Sequence, residues 1–573
     1  MSVARVLPNV TGLDKQFDYL VPDELVDSAR PGAIVRVELH GRRVGGWIVA
    51  IDPPDALDPA ELKPIAKFTG HGPDVELIEL AAWASVRWAA RRRHFLVAAS
   101  PHRAVTAIPR PRRTHRVVEP RSPASTRILD GGGGVLRLPP TSDPLPAVLS
   151  AAALGPVLVV TPAVDQAALM AARLRRGGLS VAVMPNDWPA AAGGVDVVIG
   201  GRVAAWAPCP DMAAAVVLDE HDDALQEESS PTWHARDVLV ERCGRAGVPL
   251  LMVSPAPTLT ALEWGALTRP SHERERAGWP IVDVVDRSAD EPWKRSLVTS
   301  ELIRHLRDPE RTVVCVSNTT GRARLLACRQ CRELARCERC EAAVALDDGA
   351  RLHCGRCDTS RPQVCLKCGA GRFANLRPGV TRLREELEAA ANRPAVLVTG
   401  EGAHRPPAAG VYVGTEAVLH RVERADTVAF LDFDRELLAP RYRAGEQAMA
   451  LLVRAARLVG PRQRGGRVLV QTFVPDHEVI QAALLADPGR IVDGERLRRE
   501  MLGLPPFGAF AEISGAGSDE FVASVPPTEG VVIAGAAGEY VARAPDWMSL
   551  GRALNAGERP PGARLRIAVD PPR

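Results

Sequence analysis

Lysine is almost missing from this chain. Only Lys15, Lys63, Lys67, Lys294 and Lys367 occur among 573 residues, so chemistry that needs a particular lysine has few places to happen. No apolar run is long enough to cross a bilayer; the longest, Ala147 to Val160, is broken by Ser150, Gly155 and Pro156. The N-terminus, Met1-Ser-Val-Ala-Arg, has no basic-apolar-small signal pattern. A cytoplasmic protein with reduced cysteines is therefore expected. Excess charge is also lacking: 72 basic against 69 acidic side chains leave +3, which by itself marks no nucleic-acid binder. There is no tandem repeat. With 46% apolar and 25% charged residues the composition is that of a globular protein, and the length suggests about four domains.

Residues 1–105 begin with short apolar or alternating runs, such as Phe17-Asp-Tyr-Leu-Val and Ala33-Ile-Val-Arg-Val-Glu-Leu, which read as strands of a small β domain. Leu77 to Arg93 then has helical spacing. Residues 106–134, rich in Pro, Arg and Gly, read as a linker, with the run Gly131 to Gly134 as a flexible loop. Residues 135–268 alternate buried-strand runs with helical stretches, which predicts a parallel α/β lobe. Residues 269–325 link to and begin a second such lobe, an insertion occupies 326–372, the lobe resumes over 373–485, and 486–573 forms a C-terminal α+β domain. The fold class expected is multidomain α/β with two helicase-like lobes.

Eight of the 11 cysteines form four C-x-x-C pairs: Cys328/Cys331, Cys337/Cys340, Cys354/Cys357 and Cys365/Cys368. Two thiolates of one tight turn can grip a single ion, and two such turns complete a tetrahedral sulfur site, which suits Zn²⁺ and leaves no vacant position for catalysis. Two zinc ions are expected. The stretch from Cys340 to Cys354 can return one turn beside another, whereas the neighbouring gaps are cramped. This favours a nested arrangement: Cys337, Cys340, Cys354 and Cys357 around one ion, Cys328, Cys331, Cys365 and Cys368 around the other. Sequential pairing is the alternative, and disulfides, redox dithiols or an iron–sulfur cluster are the competing chemistries. Cys315, in an apolar run, reads as core.

Two α/β lobes suggest a motor ATPase, which needs a phosphate loop, an acidic strand end for Mg²⁺, a group to direct attack and transition-state arginines. The acidic strand end exists, Ala215-Val-Val-Leu218 running into Asp219-Glu220-His221-Asp222-Asp223. The phosphate loop does not: Val135-Leu-Arg-Leu-Pro-Pro stands where Gly-Lys-Ser/Thr should, Pro139 and Pro140 lack N–H donors, and no lysine lies between Lys67 and Lys294.

These residues together resemble the PriA family of bacterial replication restart (primosomal) proteins over nearly the whole chain. The resemblance rests on the four C-x-x-C pairs, on Asp219-Glu220 with Trp233-His-Ala-Arg-Asp237, on Leu504-Pro-Pro-Phe507 and Val569-Asp-Pro571, and on Phe17-Asp-Tyr-Leu-Val-Pro22. It implies the nested zinc arrangement and a pocket for a DNA 3′ end, in which Phe17 faces the terminal base, Asp18 accepts from the 3′ hydroxyl, Gly41 allows close approach and Lys63 contacts the nucleotide. It also implies binding to DNA forks, single strands and other primosome proteins. The departures are concentrated at the motor parts. The family's Asp-Glu-Glu-His reads Asp219-Glu-His-Asp222, its Gly-Ser-Ala-Thr-Pro reads Val253-Ser-Pro-Ala-Pro257, and its Gln-x-x-Gly-Arg-x-Gly-Arg reads Arg454-Ala-Ala-Arg-Leu-Val-Gly-Pro461. The family's winged helix has no counterpart in the linker. The expectation is a replication restart protein without ATP-driven unwinding: no catalytic residue is assigned, Asp219 and Glu220 are a vestigial nucleotide site, and binding of ATP with Mg²⁺ is doubtful. An active 3′-to-5′ helicase and a zinc-dependent protein-interaction adaptor are the alternatives. Arg42, Arg43, Arg91 to Arg93, Arg110, Arg112 and Arg113 are candidates for a phosphate-facing patch.

Overall fold

The computed structural model describes residues 2–114, 118–290, 296–317, 326–346, 351–375, 380–398 and 406–572; Lys294 and parts of the 269–325 segment lie outside these residues. The chain opens with five antiparallel strands, Val3–Pro8, Phe17–Leu20, Ile34–Leu39, Arg42–Ile51 and Lys67–Gly70, paired in the spatial order second, first, fourth, third, fifth. Val6, Tyr19, Val35, Val37 and Ile48 fill one side of this sheet. The helix Val75–Arg87 follows, capped by Asp74, whose carboxylate accepts from the Leu77 amide at 3.1 Å. Its buried Leu77, Leu80, Ala81 and Ala84 recur at the spacing of one helical face.

The Pro/Arg stretch is extended but laid against the first lobe. Arg112 donates its amide to Gly194, the Arg113 guanidinium reaches the Pro210 carbonyl at 2.7 Å, and Thr114 bonds Asp196. The glycine run also differs from the loop expected of it. Gly133 and Gly134 open the strand Gly133–Arg137, which pairs with Leu250–Ser254. A Cβ on Gly133 would stand 2.7 Å from the Leu250 carbonyl oxygen, so backbone contact, not flexibility, explains that glycine.

The first lobe is a seven-stranded parallel sheet, in order Leu267–Thr268, Gly133–Arg137, Leu250–Ser254, Ala214–Leu218, Val157–Val160, Val197–Gly200 and Val181–Val183. Its central strands are buried along their whole length and apolar except for Ser254, because both faces are covered. Among the described residues the second lobe is a six-stranded parallel sheet, in order Ile281–Asp286, Arg467–Thr472, Thr427–Phe430, Val313–Val316, Val411–Gly414 and Ala395–Val398. The cysteine-rich insertion carries a two-stranded and a three-stranded sheet. It seats on the second lobe through Ala343, whose amide donates to Leu438, and Arg356, which donates to Ala439. The C-terminal sheet is antiparallel, with Val532–Ala536, Glu539–Ala544, Ala509–Ser514 and Arg566–Val569 side by side.

Aromatic and charged contacts join these parts. Trp88, Phe95, Trp206 and Trp233 form a chain of rings 5.4–6.0 Å apart that runs from the N-terminal helices into the first lobe. Gly551 meets the carbonyl of Val86 where a Cβ would clash at 1.8 Å, which sets the helix Trp547–Ala556 directly on Val75–Arg87. Asp570 is the junction of three parts. Its carboxylate accepts from Arg443 at 2.6 Å and from Tyr442 at 2.5 Å in the second lobe. Its carbonyl accepts from Gln226 of the first lobe at 2.6 Å.

Candidate functional site

The eight insertion thiols gather in two groups, Cys328, Cys331, Cys365 and Cys368, and Cys337, Cys340, Cys354 and Cys357, the sulfurs of each group lying within 4.8 Å of one another. The arrangement is nested. Sulfur separations are 3.6 Å for Cys328–Cys368 and 3.5 Å for Cys331–Cys365, Cys337–Cys357 and Cys340–Cys354. A tetrahedron with metal–sulfur bonds of about 2.3 Å has edges of about 3.8 Å, so the donor sets fit a Zn²⁺ ion each.

All four turns are built alike. The amide four residues after the first cysteine (Arg332, Glu341, Asp358 or Gly369) donates back to that cysteine's carbonyl, and each of these residues has a left-handed backbone, with φ of 69°, 60°, 56° and 75°. This folds both thiols of a pair to one side of the turn. Within the inner group, the contact between Cys340 and Cys354 pulls the Cys354 thiol down and pushes the Cys340 thiol up. Each group could hold a metal ion. Cys209, Cys243 and Cys315 are buried apart from the insertion, and burial lifts each thiol to about 12.

Of the four candidate DNA-end residues, Phe17 and Asp18 are adjacent on the strand Phe17–Leu20, and the Lys63 backbone bonds to the end of that strand at Leu20. Phe17 is half-buried at the start of its strand, with the Lys15 ammonium 5.7 Å from its ring centre. Asp18 is closed in: Arg5, its cross-strand partner, grips both carboxylate oxygens at 2.8 and 3.0 Å, and the Leu57 amide donates at 3.3 Å. Arg5 holds the Asp18 carboxyl below the usual carboxylate range. Lys63 accepts the Leu20 amide on its carbonyl and extends its ammonium to Glu38 at 2.6 Å. Gly41 sits at the tip of the hairpin that carries Glu38, with φ of 74° and open space where a Cβ would be. Its left-handed backbone, next to the left-handed His40, is what calls for glycine. Arg5 was not anticipated from the sequence; the strand register that places it opposite Asp18 is the signal.

Among the candidate patch arginines, Arg92 and Arg93 are held by Asp14 and Asn9, and Arg113 by Asp211. Arg42 and Arg43 are exposed on the hairpin.

The cleft between the lobes is occupied by the protein's own side chains. Asp219 follows the strand Ala214–Leu218, at the sheet end where open α/β sheets bind ligands. Both its oxygens are taken by the Arg457 guanidinium of the second lobe, one at 2.6 Å. Burial alone would raise the Asp219 carboxyl; Arg457 outweighs it and keeps the carboxylate ionised. The Nε of Arg457 also donates to the Pro140 carbonyl at 3.0 Å, so one side chain bridges the acidic strand end and the loop that follows Arg137. That loop is covered. Gly278 packs on Pro139 where a Cβ would approach to 2.3 Å, and Thr141 donates to the Gly278 carbonyl. Glu220 is fully buried and accepts from Arg236 at 2.8 Å, from the Thr258 hydroxyl at 2.6 Å and from the Thr258 amide at 3.1 Å. Arg236 continues to Asp237, and Asp237 to Arg87 of the N-terminal helix. The two acidic residues thus have structural partners. The arginines were legible as residues, but their reach across the cleft was not.

Residues 5–101 match a family model described as the 3'DNA-binding domain (3'BD) of PriA. The probable replication restart protein PriA of Mycobacterium tuberculosis strain H37Rv is 28% identical over 575 residues, covering 88% of this chain and 85% of that protein. The replication restart protein PriA of Bacillus subtilis strain 168 is 25% identical over 341 residues, 55% of this chain and 42% of that one. Among solved structures, the DExH-box NTPase HrpB of E. coli aligns at 13% identity with a TM-score of 0.33, covering 66% of this chain and 44% of that one. Its likeness is too loose to carry an argument. With residues 5–101 matching a 3'DNA-binding domain model and relatives of one name aligning over most of its length, the chain is similar to the PriA replication restart proteins.

Proposed function

We propose that this protein binds DNA forks and 3′ ends and helps to reload the replication machinery without ATP-driven unwinding. The observation that carries this reading is Arg457, which lies on Asp219 and on the Pro140 carbonyl, where a working site would hold magnesium and phosphate. A phosphate group entering there would meet two prolines without N–H donors, no lysine, and a carboxylate already neutralised.

The DNA-end reading uses Phe17 as the stacking surface and Lys63 as the phosphate or sugar contact. Asp18, fixed by Arg5, keeps lone pairs with which to accept from a 3′ hydroxyl. The two thiol groups would each hold a structural Zn²⁺, and the insertion they shape, residues 326–372, would contact other primosome proteins. The N-terminal domain spans 1–105 in this reading.

The test compares forks ending in a free 3′ hydroxyl with forks blocked there by a 3′ phosphate. The native chain should favour the free end. Phe17→Ala should lose about 1–3 kcal/mol, which is the usual weight of one stacked base. Equal affinity for both forks, unchanged in Phe17→Ala, would remove the end pocket from the account.

A further inference from the structure

The helix Ala444–Val459 of the second lobe presents one polar stripe to the first lobe. Arg443 at its start donates to Gln226 at 3.0 Å. Gln447 donates to Asp223 at 2.9 Å, Arg454 pairs with Asp222, and Arg457 pairs with Asp219. On the other lobe the partners Asp219, Asp222, Asp223 and Gln226 lie in one short segment directly after the strand Ala214–Leu218. The rungs therefore follow a helix face over about 20 Å. Arg454 is further steadied by His420, 2.7 Å away on its own lobe, and the Glu446 carboxylate accepts the Leu259 amide at 2.7 Å across the same boundary. Asp219 and Asp222 keep only 13% and 12% of their side-chain surface while Arg457 and Arg454 keep 33% and 25%, so the pairs are shielded from solvent on the carboxylate side.

A two-lobe motor has to separate and rejoin this boundary in each cycle, with nucleotide as the removable link. Here the link is covalently part of the helix and cannot leave. We propose that Arg454 and Arg457 are a permanent latch that fixes the two lobes in a single arrangement, making them a rigid platform on which the DNA-binding domain and the cysteine-rich insertion hold a constant separation. The proposal deepens the non-motor reading above and rests on its view of the cleft.

The test is hydrogen exchange and small-angle X-ray scattering on the full chain, with and without ATP·Mg²⁺. The native protein should give superimposable scattering in both conditions and slow exchange in segments 219–226 and 444–459. Arg454→Ala with Arg457→Ala should raise exchange there by about tenfold or more and enlarge the radius of gyration. The exchanged pair Asp219→Arg with Arg457→Asp should bring both values back toward native, which loss of folding could not do; metal content and circular dichroism report the fold of each variant. Native-like scattering and exchange in the double alanine variant would overturn the latch. An ATPase assay on the same samples separates the two ideas. Turnover by the native chain would sink the non-motor reading, whereas an unopened, inactive alanine variant would sink the latch alone.

Discussion

His477 shows how a single residue can carry a pH dependence. It caps the helix Glu478–Leu484, its Nδ1 accepting from the Val479 amide at 3.3 Å. Burial first, then Arg498, Arg356 and Arg336, hold its imidazole down at about 4. In the unfolded chain it takes a proton near pH 6.5. Between those values the unfolded state binds more protons, so this residue's contribution to stability falls as pH drops from 6.5 toward 4. Urea unfolding at pH 7 and pH 5 should show a loss of roughly 2 kcal/mol in the native chain beyond that in His477→Asn, because Asn keeps the cap and does not titrate. Equal losses in the two proteins would contradict this. The residue scale was also where the sequence was least informative about partners. Phe17 and Asp18 stand out in a row of residues, but Arg5 becomes their neighbour only through the register of two strands.

At the scale of elements, legibility followed how local the cause was. The cysteine pairs lie within single turns, and the gap between Cys340 and Cys354 limits how those turns can meet; the nested grouping was therefore open to reasoning from spacing. The glycine run at 131–134 was not, because Gly133 answers to a strand more than a hundred residues away. The packing of the Pro/Arg stretch was not legible for the same reason: its partners Asp196 and Pro210 lie far along the chain. If each thiol group holds Zn²⁺, the purified protein should contain two zinc ions per chain. Cys354→Ser should lose one ion and loosen the seat of the insertion at Leu438 and Ala439, seen as faster exchange of the Ala343 amide. Retention of both ions in that variant would contradict the grouping.

For the whole molecule, the connection between parts is as telling as the parts. The two parallel sheets could be anticipated from apolar runs alternating with helical stretches, since burial on both faces leaves that trace. The way they are bound together could not, because a buried ion pair between distant segments has no local signature. Asp570 illustrates this: it directly follows the last strand, yet its partners come from both lobes. Asp570→Ala would leave the buried Arg443 without its carboxylate. A stability loss of about 3–5 kcal/mol in denaturant titration is expected, and a change under 1 kcal/mol would show that the junction is not a structural tie.

In the proposed reading, Arg457 on Asp219 and Pro140 leaves no place for a triphosphate between the two lobes. ATP turnover with forked DNA and Mg²⁺ present tests this most directly. The account predicts phosphate release no faster than a protein-free blank, the same in the native chain and in Asp219→Ala. DNA-stimulated turnover by the native chain that disappears in Asp219→Ala would contradict it.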